Sequence, residues 1–276
     1  MIYNEQQLSE FKALLHSEEK SEVTIYKYLH DVQMFQDFCG REEVTKELTI
    51  RFKDMLKQNA YSPRSINSML ALVNKYLRFL GKESFRVRNL KLQPRPYAPL
   101  EKELSRQEYL RLLAAAGKDS RLQLIIETIC ATGIRVSELK YFTADGVQKG
   151  EIEVTCKGKI RVILIPGKLR KKLLAYCSRK NIKDGVIFRT RGGNPVNRSN
   201  IWAQMKALCE KARVDRHKVF PPNLRKLLAR CFYEIKKDIA KLADVPGHSS
   251  IDTTRIYIME TSREHRRVIE KLRLVL

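Results

Sequence analysis

Three short runs in the last third of the chain hold residue types that could do chemistry together: Asn223-Leu224-Arg225, Gly247-His248-Ser249-Ser250 and Thr253-Thr254-Arg255-Ile256-Tyr257. A tyrosine one short helix beyond a Gly-His turn, with an arginine upstream in a Leu-Arg pair, is the combination that covalent phosphoryl transfer at a DNA backbone requires. Each piece alone has a plainer reading. Tyr257 between Ile256 and Ile258 reads as an ordinary half-buried helix tyrosine, and His248 after Gly247 as a turn residue. Arg135 beside Glu138 reads as a surface pair contributing about 0.3–0.5 kcal/mol. Their joint occurrence is what favours the chemistry.

The elements that must position these residues are mostly helices. Ser105 followed by Glu108 forms a capping box that opens a helix over Gln107–Ala116. The apolar run Leu122–Cys130 predicts a core helix stopped by Gly133, and Arg135-Val136-Ser137-Glu138-Leu139 starts a new turn. From Glu151 the period shortens to two. Glu151–Thr155 and Arg161–Ile165 therefore predict a β-hairpin whose Lys157-Gly158-Lys159 turn carries two lysines. Further helices are expected at Leu169–Ser178, Ser199–Ala212, Leu224–Tyr233 and Ile235–Val245, the last with Ile235, Ile239 and Leu242 on one stripe.

Residues 1–86 read as a separate small helical bundle. Ile25, Tyr28, Leu29, Val32, Phe35 and Phe38 recur at helical spacing; after Ser62-Pro63, so do Ile66, Leu70, Val73, Leu77 and Leu80, up to Gly81. Residues 87–104, with Pro94, Pro96 and Pro99, predict a stiff extended connector. Residues 105–276 then form the second lobe. The expected fold class is mainly α with one small β-hairpin.

Charge narrows the partners. The 276 residues hold 54 Lys and Arg against 31 Asp and Glu, a net charge of +23, and residues 101–276 carry 38 of the basic and 19 of the acidic side chains. Such a field seeks a polyanion, either nucleic acid or an anionic membrane surface. No apolar run approaches the roughly 18–20 residues of a membrane span, and the polar amino terminus does not read as a signal peptide. A cytoplasmic protein is expected. The first fifty residues hold 5 basic and 10 acidic side chains and the next fifty 11 and 2, so one side of the bundle is expected to be the basic one. Arg64 and Lys75 on the Ser62–Gly81 helix are candidates for phosphate contact, with a merely solvated face as the equal alternative. Arg86, Arg88, Lys91 and Arg95 suggest that the connector lies along DNA, with two lobes forming a clamp around a duplex. The six cysteines are scattered without a C-x-x-C pair, which predicts free thiols, with neither a zinc site nor a disulfide frame.

The ordered set Ala131–Leu139, the Lys157 hairpin, Leu224-Arg225, Gly247-His248-Ser249-Ser250 and Thr253–Tyr257 resembles the signature of the tyrosine recombinases, the phage-integrase and Xer-type family. The resemblance covers nearly the whole chain. Residues 1–86 are similar to the family's SAM-like core-binding domain, residues 105–276 to its α+β catalytic domain, and the whole to a compact mobile-element integrase. It implies a site-specific recombinase that cleaves and rejoins DNA through a covalent 3′-phosphotyrosine. In that reading Arg135 and Arg225 fork the non-bridging phosphate oxygens, Lys157 protonates the leaving 5′-oxygen with Lys159 as the fallback donor, and His248 bonds the phosphate. Glu138 braces the arginines and Tyr257 is the nucleophile. The resemblance further implies no metal and no cofactor, double-stranded DNA as partner, and a homotetramer on paired sites through a tail helix at Ser262–Leu276. Accessory DNA-bending proteins are also possible partners, and no additional amino-terminal arm-binding domain is expected.

Departures from the pattern matter as much. Where the family commonly reads His-x-Leu-Arg-His, this chain has Pro222-Asn223-Leu224-Arg225-Lys226, and Pro246 stands where leucine precedes Gly-His. Proline cannot take a proton, and Lys226 is no base at neutral pH unless its pKa falls far. His217, five residues upstream, is one candidate substitute. Two function classes therefore stand open: a strand-exchange enzyme of full or reduced activity, and a DNA-binding protein on a recombinase scaffold. A topoisomerase of the same chemistry fits less well, because a core-binding lobe suits paired recombination sites.

Overall fold

The computed structural model describes residues 5–92, 103–156, 159–245, 247, 251–258 and 270–271. It divides into two compact units, Met1–Pro94 and Arg95–Leu276.

The first unit holds α1 (Glu5–Ser17), α2 (Glu22–Cys39), α3 (Lys46–Gln58) and α4 (Pro63–Phe79), followed by a 3-10 turn at Glu83–Phe85. Local chemistry sets the ends. Thr45 caps α3 by accepting from the Leu48 N–H, and Ser62 caps α4 by accepting from Ser65, with Pro63 in the first turn where its missing N–H costs nothing. Phe35, Phe52, Ile66, Leu70, Val73 and Leu77 share one apolar cluster, and Phe11, Leu15, Ile25, Val32 and Tyr76 another. Residues 87–90, expected to open the connector, are instead strapped onto α4. Asn74 donates to the Val87 carbonyl (2.8 Å) and accepts from its N–H (2.9 Å), and Asn67 does the same for Leu90 (2.9 and 2.7 Å). Seven residues of helix rise about 10 Å, and three of extended chain span about 10 Å, so the two asparagines match two rungs of the strap. The three prolines of the connector lie outside the described residues.

The second unit is built on α6 (Arg121–Thr132), which packs against α5 (Arg106–Ala116), α8 (Gly167–Arg179), α9 (Arg198–Ala212) and α10 (Pro221–Lys236). Leu124, Ile125, Ile126 and Ile129 of α6 are buried in the core of this unit. The Ser105–Glu108 capping box forms at the start of α5 as its spacing predicts. A 3-10 turn (Val136–Tyr141) and α7 (Ala144–Lys149) lead into the hairpin of β1 (Glu151–Cys156) and β2 (Lys159–Leu164), paired antiparallel with Cys156 opposite Lys159. Lys159 thus belongs to the strand, and only Lys157 and Gly158 lie between the paired residues. Ile152, Val154 and Ile163 face the core, whereas Ile160, Val162 and Leu164 face outward.

The expected helix Ile235–Val245 is not one element. Helix α10 runs to Lys236, Lys237 turns left-handed (φ +52°) with its N–H on the Tyr233 carbonyl, and Asp238 caps a new short helix, α11 (Ile239–Asp244). Ile235 is consequently 79% exposed while Leu242 is fully buried, so the proposed stripe is broken by the cap. The last helix, α12, spans Ile251–Ile258. The described cysteine thiols, Cys39, Cys130, Cys177, Cys209 and Cys231, are all free. Among the described residues no helix is long and apolar enough to cross a membrane, and no cluster of His, Cys, Asp or Glu could hold a metal ion.

Candidate active site

Helix α6 ends at Gly133, whose left-handed conformation (φ +66°) turns the chain. Buried Ile134 anchors the turn, and Arg135 then caps the 3-10 turn in extended conformation. Glu138, three residues on, reaches back. Its Oε2 accepts from the Arg135 backbone N–H (2.7 Å) and its Oε1 from Arg135 Nη1 (2.8 Å). One short turn thus fixes both the backbone and the guanidinium of Arg135. The Glu138 side chain is 3% exposed, so the pair is no solvated surface contact.

A second arginine completes the brace. Arg161 on β2 donates through Nη2 to Glu138 Oε2 (2.6 Å) and through Nη1 to the Val245 carbonyl (3.2 Å), just beyond α11. Burial works against the charged form of Glu138. The backbone and side-chain hydrogen bonds from Arg135, together with the charges of Arg161 and Arg135, outweigh it and hold the carboxyl below the usual range.

Arg225 sits in the second turn of α10 and is only 6% exposed. Its guanidinium lies 5.8 Å from the centroid of the Tyr257 ring, within reach of a cation–π contact. Burial draws its pKa downward; Tyr257 and Glu138 oppose that, while the charges of Arg135 and Arg161 add to it. Arginine nevertheless stays charged at any ordinary pH. On α12 the fully buried Thr254 anchors the helix, and Tyr257, one turn later on the same side, is half-buried. Three guanidiniums against one carboxylate leave a surplus of positive charge beside a phenol, which suits an anionic phosphate.

The structure therefore brings Arg135, Glu138, Arg225 and Tyr257 together, from three segments of the chain, the first and last of which are more than a hundred residues apart. Lys157, His248, Arg95 and Pro246 lie outside the described residues, as do Ser262–Ile269 and Leu272–Leu276 of the tail; the Lys159 backbone is in β2, its side chain outside the description. Pro222 is exposed in the first turn of α10, where proline removes no helix bond, and Asn223 behind it is buried and donates to the Lys218 carbonyl (2.8 Å). Lys226 is half-buried. His217 is exposed, and its backbone N–H donates to the Asp215 carboxylate.

The candidate phosphate contacts of the first unit differ among themselves. Arg64 is exposed, whereas the Lys75 ammonium is paired with the Glu18 carboxylate. Arg86 Nη1 lies 3.8 Å from Glu83, and Arg88 is exposed with its carbonyl accepting from Lys53. Arg161 carries no motif of its own. Its signal is parity: it shares the inward phase of β2 with Ile163, and an arginine on the covered face of a strand needs a buried partner.

Residues 102–264 match the phage integrase family and residues 8–84 match the phage integrase N-terminal SAM-like domain. The chain is 31% identical over 278 residues to tyrosine recombinase XerA of Thermococcus kodakarensis, spanning 97% of this chain and 95% of that protein. It is 27% identical over 271 residues to tyrosine recombinase XerC of Pseudomonas putida, spanning 91% and 90%. Among solved structures, a XerA recombinase is similar at a TM-score of 0.55 and 25% identity over 98% of this chain and 99% of that one. A lambda integrase dimer bound to a COC′ core site shares the fold at a TM-score of 0.74 and 17% identity, over 94% of this chain and 96% of that one.

Proposed function

The chain belongs to the phage integrase family of tyrosine recombinases, and from that premise we propose that it is a site-specific recombinase that cuts and rejoins double-stranded DNA through Tyr257. The phenolic oxygen gives up its proton to water and attacks the scissile phosphorus, a 3′-phosphotyrosine bond forms, and the bond to the 5′-oxygen breaks. Lys157 gives the leaving oxygen its proton, with Lys159 as the fallback. The reverse attack by a 5′-hydroxyl of another strand releases the tyrosine and restores a phosphodiester. Arg135 and Arg225 hold the non-bridging oxygens as charge builds on them, His248 donates to the same phosphate, and Glu138 keeps Arg135 in place.

The observation that carries this reading is the approach of the buried Arg225 guanidinium to the Tyr257 ring, 5.8 Å away, beside an Arg135 fixed twice by Glu138. Paired DNA sites held by a homotetramer are part of the proposal, supported by the likeness to a lambda integrase tetramer bound to a Holliday junction. The exposed Arg64 and Arg88, with Arg86 and Arg95, contact the DNA backbone. Incubation with a nicked suicide duplex carrying the site found beside the coding region tests the reading: a covalent adduct, lost in Tyr257→Phe, is expected. A protein that binds this duplex tightly and never forms an adduct would instead be a DNA-binding protein on a recombinase scaffold, the reading that Pro222 and Lys226 favour.

A further inference from the structure

The side chain of Arg161 occupies an unusual place. Both terminal nitrogens already donate, to Glu138 and to the Val245 carbonyl, and its Nε is buried. Its stem lies against Gly247: a Cβ there would stand 2.6 Å from Arg161 Cδ, 2.7 Å from Nη1 and 2.9 Å from Nε. The backbone at Gly247 is also left-handed (φ +63°), so a side chain there would be strained and would push Arg161 out of its place. The guanidinium thus bridges two segments that converge on the cluster. One is the 3-10 turn that aims Arg135. The other runs from the end of α11 through Gly247 into α12 and Tyr257.

We propose that Arg161 is a positioning residue, which ties β2 to the carboxylate aiming Arg135 and to the chain leading to Tyr257, so that phosphate clamp and nucleophile are set by one cross-strand brace. A guanidinium suits the task because its planar fork satisfies a carboxylate and a carbonyl in fixed directions at once; an ammonium is a point charge that cannot span both. The bridge also links the clamp to the strand that begins two residues after Lys157. Arg161 holds no phosphate in this arrangement. Its contribution is geometric, and geometry matters at this scale: a misplacement of about 1 Å costs about 10²-fold in rate.

This inference rests on the reading of Tyr257 as nucleophile, and the test separates the two. Adduct formation on the nicked suicide duplex is timed for the parent, Arg161→Gln, Arg161→Lys, Glu138→Gln and the Arg161→Gln/Glu138→Gln double variant. Both Arg161 variants are expected to be slower by about 10- to 100-fold with unchanged affinity for the duplex. The double variant should be far less impaired than the product of the two single defects, because both remove one brace. A parent that forms no adduct overturns the nucleophile reading. A parent that reacts while Arg161→Lys matches its rate, or single defects that multiply, overturns the role of Arg161 alone. Hydrogen exchange tests the tie without turnover: amides of residues 251–258 should exchange faster in Arg161→Gln while α5 and α6 keep their protection, and unchanged exchange at 251–258 overturns the proposal.

Discussion

The Arg225 guanidinium stands 5.8 Å from the centre of the Tyr257 ring, and the two residues come from helices that pack directly on each other, α10 and α12. In the proposed reaction, a cation held over the ring lies close to the phosphate that the phenolic oxygen attacks. Replacing Tyr257 by Phe preserves the ring and that contact, so adduct formation should vanish while affinity for duplex DNA stays nearly constant. Arg225→Ala should also abolish the adduct, by removing charge from the transition state. Denaturing-gel assays of adduct beside filter binding of the same duplex check both; a Tyr257→Phe protein that still forms adduct assigns the nucleophile elsewhere.

Glu138 predicts a pH dependence with a definite sign. Its folded carboxyl titrates below the ordinary value, despite burial, because Arg135 and Arg161 favour the charged form. The stability it contributes is present in full above the unfolded carboxylate pKa and is lost as pH falls through the lower folded value. Glu138→Gln should therefore cost about 3 kcal/mol at neutral pH, the low end for a broken buried pair because Arg135 is 38% exposed. It should also flatten the acid limb of the stability curve. Urea midpoints between neutrality and acid pH for parent and variant measure this; parallel acid limbs would rule the linkage out.

Much of this was legible in the chain itself, and the gaps have physical causes. Ser105 with Glu108, Ser62 with Pro63, and Gly133 are local signals, and each ends or starts a helix where its chemistry predicts. Arg135 and Glu138 are three residues apart, so their partnership was readable, although only burial distinguishes it from a surface pair. Arg161 was not, because its partners lie 23 and 84 residues away and no local pattern encodes them. The Asn67 and Asn74 strap was hidden for the same reason. The break at Lys237 was missed because the apolar spacing of Ile235, Ile239 and Leu242 continues across a cap that Asp238 supplies.

The two candidate lysine and arginine contacts on α4 should behave differently. Arg64 is exposed, whereas Lys75 is paired with Glu18, whose carboxyl it holds below the usual range. Arg64→Ala should lower the slope of log affinity against log salt by about 1, the signature of one lost phosphate contact. Lys75→Ala should change that slope less, since the ammonium it removes is already partnered on the protein. Equal slopes for the two variants would show that the Glu18 pair opens on DNA.

Pro222 bears on how fast the enzyme turns over. It sits exposed in the first turn of α10, three residues before Arg225, at the place where the resemblance to the family's His-x-Leu-Arg-His run implies a histidine that would take the tyrosine proton. No helix hydrogen bond depends on the proline, so Pro222→His should fold unchanged. With a base restored, adduct formation should rise by about 10-fold or more, within the 10²–10⁴-fold usual for general acid–base help, and pairing it with Lys226→His should raise it further. The parent is expected to be correspondingly slow. Time courses of adduct on one suicide duplex decide the matter: a parent already as fast as Pro222→His would mean that another group, such as the exposed His217, accepts the proton.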